Sequence, residues 1–171
     1  AMFWVVRALM RLKGDWESID RSDWGRLFLC GTTGVAVNQL LFFNGLSATS
    51  PVNASIIMTI NPILVLGISA VLLRTAITAR KLTGIAIGGV GAVVLLVFSA
   101  NQPSLHASWQ GDLMILINAT SYGFYLVLVK PIMSKYKPLT VISWVFLFGS
   151  LWVIPIGWEQ ALAIDWSAFE T

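Results

Sequence analysis

Apolar residues run along this chain in long blocks, and polar residues gather in the short gaps between them. Residues 27–73, 82–111, 113–129 and 138–158 contain no charged side chain. A helix that crosses a bilayer needs about 20 mostly apolar residues at 1.5 Å rise each. The first block is long enough for two such helices, and Asn44, Gly45, Ser47, Ser50 and Pro51 mark a tight hairpin between them. The pattern predicts membrane helices over residues 27–46, 52–73, 81–99, 112–130 and 139–158. Strands of a membrane barrel would instead alternate apolar and polar positions over about 10 residues. The runs ILVLGISAVLL (63–73) and GAVVLLVF (91–98) do not alternate. Residues 1–10, AMFWVVRALM, read as the inner end of a further helix. A signal peptide would lead with its basic residue, whereas Arg7 follows the apolar ones. The chain is therefore expected to be an internal piece of a longer all-α polytopic membrane protein.

Composition narrows the class further. Hydrophobic residues make up 57% of the chain and charged residues 11%, where soluble domains carry about 25% charged. Disorder, a coiled coil and almost any soluble enzyme are excluded. The single cysteine, Cys30, excludes a disulfide framework or a Cys-based zinc site, and the single histidine, His106, leaves no His cluster. No metal or cofactor is expected.

The net charge of +3 would suggest nucleic acid only if the basic residues formed one surface. Their placement points elsewhere. All 11 Lys and Arg fall in three of the six segments that flank the five spans. Arg7, Arg11, Lys13, Arg21 and Arg26 precede the first; Arg74, Arg80 and Lys81 lie between the second and third; Lys130, Lys135 and Lys137 lie between the fourth and fifth. The alternate segments, near 44–53, 100–111 and 159–171, contain none. The positive-inside rule places the basic side in the cytoplasm. Trp109, Trp158 and Trp166 at outer ends, and Trp24 and Tyr136 at inner ends, read as interfacial anchors.

No Asp, Glu, Lys, Arg or His lies deep in a span, where a charge would cost about 2.5–3.5 kcal/mol on insertion scales. A proton relay or catalytic carboxylate has no support here, nor does a nucleophile–base pair, so no enzyme is expected. The uncharged polar residues say more. In the fourth span Met114, Asn118, Ser121, Tyr122 and Tyr125 share one helical face. Such a face should meet protein or a water-filled cavity. Tyr brings a flat ring with a hydroxyl and Asn brings donors and an acceptor, a set that suits an organic solute; interhelical hydrogen bonding is the competing reading. In the second span Pro62 follows Asn61, and its missing N–H predicts a kink with the carbonyl of Met58 freed. In the first, Gly31, Gly34, Asn38 and Gly45 predict a packing seam, with Gln39 about 100° round the helix toward a cavity. Gly84 and Gly88 in the third predict close helix packing. Trp144, Phe148, Leu151 and Pro155 form an aromatic-rich stripe on the fifth, either a packing face or a pathway lining.

The order of these features resembles the EamA-type drug/metabolite transporter family. The resembling stretches are NQLLFFNGLSATSPVNASIIMTINPILVLGISAVLLR (38–74), ITARKLTGIAIGGVGAVVLLV (77–97) and GDLMILINATSYGFYLVLVKPIMSKYKPLT (111–140). The resemblance implies a ten-helix protein of two five-helix inverted repeats. Residues 1–99 would end the first repeat (the tail of helix 2 to helix 5), 100–111 would be an extracytoplasmic connecting loop, and 112–171 would begin the second (helices 6 and 7). It implies export of small organic metabolites or drugs by alternating access, in a bacterial plasma (inner) membrane. The candidate solute-binding residues are Gln39, Asn61, Asn118, Tyr122 and Tyr125. The expected partners are membrane lipids and a small-molecule solute, without nucleic acid, with a homodimer as an open alternative to a monomer. A non-transporting scaffold or sensor is the rival function. One position departs from the resembling pattern: a Glu usually follows helix 4, and Thr75 stands there in this chain.

Overall fold

The computed structural model describes residues 17–99 and 108–162. The expectations for residues 1–10, His106 and Trp166 lie outside the described residues. Within them every regular element is helical. The first helix, α1, spans Arg21–Ala48. It is followed by α2 (Pro51–Met58), α3 (Asn61–Leu72), α4 (Ala79–Ser99), α5 (Trp109–Met133) and α6 (Pro138–Leu162). Four segments are long and apolar enough to cross a membrane: α1, α2 with α3, α5 and α6. The remaining expected span is covered by α4, a helix of 21 residues.

Local chemistry explains where the helices begin, widen and stop. Pro51 opens α2, and Ser50 caps it by accepting the Asn53 N–H at 3.1 Å. Ser108 caps α5 by accepting the Gly111 N–H at 3.1 Å, while its own hydroxyl donates to the Ala48 carbonyl at 2.7 Å. Within α1, residues Thr32–Val37 form a π-helical stretch. Thr32 and Thr33 donate back to the carbonyls of Phe28 and Leu29 at 3.0 and 2.8 Å, a competition that disturbs the regular helical ladder. Between α2 and α3 the helix breaks at Thr59–Ile60, which bond only three residues back, to Ile56 and Ile57. Pro62 follows directly and has no N–H to bridge the gap. At the end of α3 the amides of Leu73 and Thr75 both turn back to the Ser69 carbonyl, and Arg74 takes φ 50°. This is a left-handed helix stop of the kind glycine usually makes.

α5 lies at the centre, against α1, α2 and α3, while α6 packs on the first half of α1. The glycine seam expected on α1 is present. A Cβ at Gly31 would stand 2.6 Å from Cβ of Phe148 on α6, one at Gly34 2.5 Å from the Tyr125 ring, and one at Gly45 2.9 Å from Ile115. Close backbone approach of this kind holds helices together in lipid, where apolar burial alone offers no driving force. Leu27, Cys30, Val129, Ile132, Val141 and Val145 fill the space between α1, α5 and α6. In contrast α4 touches α2 and is exposed over most of residues 79–91.

Both ends of this bundle are tied by polar contacts. At one end Thr49 donates to Asp112 at 2.5 Å, with Asn53 at 3.5 Å from the same carboxylate. At the other, Lys135 meets Asp23 at 2.6 Å and Asp20 at 3.3 Å. Tyr136 donates to Asp23 at 2.9 Å and accepts the Asp20 N–H at 3.0 Å. These contacts gather the start of α1 with the α5–α6 turn, and the α1–α2 turn with the start of α5, in the alternation of ends that the Lys and Arg spacing predicts. Tyr136 is not the free interfacial anchor the sequence suggested. It is 8% exposed, because the turn folds its hydroxyl onto Asp23. Trp24 likewise packs, edge-on to Trp144 with ring centroids 4.5 Å apart and near Phe148. Trp109 and Trp158 are exposed.

Candidate functional site

Because α4 stands away from α3 and α5, a cavity of about 660 Å³ opens between the three. Asn61, Pro62, Val65, Leu66 and Ser69 line it from α3, Gly84 and Ile85 from α4, and Tyr122 and Leu126 from α5. At its basic end it is bounded by Leu73, Thr75, Arg80, Lys81 and Lys130. A hollow of about 250 Å³ adjoins it, lined by Asn38, Phe42, Met58, Asn61, Asn118 and Tyr122. Asn61 and Tyr122 line both. The break at Thr59–Ile60 sets Asn61 at the very start of α3.

The structure brings together three of the five candidate solute-binding residues. Asn61 has a buried Oδ1 with no hydrogen-bond partner. Asn118 is fully buried; its Nδ2 donates to the Asn38 carbonyl at 2.6 Å, and its Oδ1 is also without a partner. Tyr122 is 36% exposed and faces both cavities. A buried acceptor left unmatched costs about 1–3 kcal/mol, and two of them belong to residues that line one hollow.

The other two stand apart. Tyr125 lines neither cavity: its ring lies on Gly34, 5.8 Å from the Tyr122 ring between centroids. Gln39 is exposed on α1 and lines neither cavity. The polar face of α5 is thus divided. Asn118 and Ser121 hold α1, the latter through its hydroxyl to the Thr33 carbonyl at 2.8 Å, while Tyr122 turns to α3 and α4. Gly84 and Gly88 meet nothing within 4 Å. Among the described residues they make no close helix contact and instead border a hollow beside Thr59 and Pro62. On α6, Trp144 and Phe148 pack on Trp24, and Leu151 is exposed.

Sequence reasoning did not assign Ser69, Thr75, Arg80, Lys81 or Lys130 to a site. The cations read only as topology signals. Seeing them converge needs the knowledge that α3, α4 and α5 surround one space. Among the described residues no three His, Cys, Asp or Glu side chains gather to hold a metal.

The architecture is that of a helical membrane protein with a polar-lined cavity between helices, and comparison with known proteins names its kind. A profile of the EamA-like transporter family matches residues 2–97. The chain belongs to this family. A similar protein from Archaeoglobus fulgidus, named an uncharacterized transporter, is 32% identical over 139 residues, covering 81% of this chain and 48% of its own length. An uncharacterized transporter of Bacillus subtilis is 27% identical over 127 residues, 74% of this chain and 42% of the relative. A probable terminal-alkyne amino-acid exporter of Streptantibioticus cattleyicolor is 26% identical over 134 residues, 78% of this chain and 44% of the relative. The chain thus spans about half the length of the curated relatives it matches. No solved structure matches it.

Proposed function

We propose that this EamA-family chain contributes half of a transporter that exports small organic solutes across a bacterial plasma membrane, with its basic end in the cytoplasm. The observation that carries the reading is the pair of unmatched acceptors, Asn61 Oδ1 and Asn118 Oδ1. Both residues line, with Tyr122, a hollow that shares Asn61 and Tyr122 with a larger cavity. A solute with a polar group and an apolar body answers the exposed Tyr122 and the walls, and reaches the two oxygens once the side chains that cover them move aside. The interrupted α2–α3 segment beside the site is a feature shared with many transporters that work by alternating access. The amino-acid exporter among the relatives makes amino acids the natural start of a substrate screen.

Uptake into proteoliposomes by the full-length protein, with and without a pH gradient, tests the reading. A solute that accumulates, and does so several-fold more slowly with Tyr122→Ala at equal folded protein, supports it. A screen in which Tyr122→Ala transports like the unaltered protein removes Tyr122 from the site. A non-transporting assembly role draws on a different observation: Asn118, Ser121 and Tyr125 are all engaged on α1. It predicts that the cavity face is closed to water-soluble reagents.

A further inference from the structure

The larger cavity is chemically two-sided. Val65, Leu66, Ile85 and Leu126 give it an apolar body, and Arg80, Lys81 and Lys130 all line its basic end. Among the described residues no acid pairs with these three. Asp20 and Asp23 are taken by Lys135, and Asp112 lies at the opposite end on Thr49 and Asn53. Thr75 lines the same end and adds a hydroxyl without a charge. Among the described residues no carboxylate lines this end. Membrane orientation requires only that cations lie on one side. It does not require that cations from the start of α4 and the end of α5 meet around one cavity.

We infer that this end of the cavity binds the anionic group of an amphipathic organic solute, a carboxylate or phosphate held by Arg80, Lys81 and Lys130, with its apolar part along Val65, Leu66 and Leu126. The binding follows from charge and shape; only its role as cargo rests on the transport reading. An anionic lipid headgroup offers the same chemistry, so the test separates the two sources.

Thr75→Cys is placed in the full-length protein with Cys30→Ala and reconstituted in phosphatidylcholine. The rate of thiol modification by N-ethylmaleimide is measured with phenylacetate, phenylacetamide or phenethylammonium present, which share a shape and differ in charge. Phenylacetate is expected to protect the thiol at about tenfold lower concentration than the amide, the worth of one charge-assisted contact. Phenethylammonium should not protect. The preference should vanish with Arg80→Gln, Lys81→Gln and Lys130→Gln combined. In case that variant does not fold, Thr75→Glu with the thiol moved to Ser69→Cys should reduce it several-fold. Equal protection by carboxylate and amide, or an order that survives these changes, overturns the inference. So does protection by added phosphatidylglycerol alone when phenylacetate has no effect in phosphatidylcholine, which assigns the site to lipid. Uptake of the same compounds separates the two proposals. Charge-ordered protection without uptake of any solute removes the transport reading and keeps the anion site; uptake without charge order does the reverse.

Discussion

The ring of Tyr125 lies so close over Gly34 that a Cβ at that glycine would stand 2.5 Å from two ring carbons. This contact sets how near α1 and α5 can come, at the place where α1 widens into its π-helical stretch. It also removes Tyr125 from the cavity and leaves Tyr122 as the tyrosine that faces it. Gly34→Ala should therefore force the ring or the helix aside and cost about 1–3 kcal/mol, the usual price of overpacking. Gly84→Ala has open space around it and should be neutral or stabilising by up to about 1 kcal/mol through helix propensity. Thermal unfolding of the two variants in detergent gives the comparison; equal effects would mean the Tyr125–Gly34 contact is not tight in solution.

Arg74 occupies a left-handed position at φ 50° where α3 ends. A side chain there strains against its own backbone, and glycine does not. Arg74→Gly should raise stability by about 1 kcal/mol, seen as a higher unfolding temperature. Arg74→Val should lower it, because branching at Cβ adds to the strain.

At the basic end, Lys135 binds Asp23 and Asp20, and the hydrogen bond to Asp23 followed by that to Asp20 holds its ammonium above the ordinary lysine pKa of 10.5. A raised folded-state pKa stabilises the fold at pH values below the unfolded value and loses that contribution as pH rises through the folded value. The clamp should therefore be constant through the neutral range and weaken in strong alkali, above 10.5. Lys135→Ala should lower the unfolding temperature at neutral pH and remove the part of the alkaline decline due to this pair. A variant with an unchanged neutral unfolding temperature would show that the pair does not hold α1 to the α5–α6 turn.

Asn61 offers a sharper separation of stability from function. Its Oδ1 is buried without a partner, so Asn61→Leu removes a group that costs about 1–3 kcal/mol when unmatched. The variant should be as stable as the parent or more so, yet bind solute at least several-fold less well. Thermal unfolding and solute uptake on the same preparation check both halves. A destabilised variant would show that the oxygen is satisfied in the membrane by something other than solute.

Much of the fold was legible because membrane helices are written in long apolar blocks, and their ends in the placement of Lys and Arg. The Gly31–Gly34–Gly45 seam was legible for the same reason: one helix face needs only its own spacing to be recognised. Interactions between distant segments were not. Tyr136 read as an anchor because nothing local reveals that its turn folds onto Asp23. Tyr122 and Tyr125 share a face by periodicity, but which neighbour each one meets depends on where α1, α3 and α4 lie around α5. Gln39 failed to reach the cavities for that reason too, and Arg80, Lys81 and Lys130 escaped notice because they reach one cavity from separate helices.

The central claim is that water and solute reach the Tyr122 side of α5 through the cavity. It is tested most directly by reacting Tyr122→Cys, in the full-length protein with Cys30→Ala, with a membrane-impermeant thiol reagent in sealed vesicles of each orientation. Val141→Cys, on a residue with 0% exposure in the packed core, serves as the buried control. The account predicts that the thiol at position 122 reacts when the basic end faces the reagent and that the control does not. A thiol at 122 as unreactive as the control from both sides would contradict it.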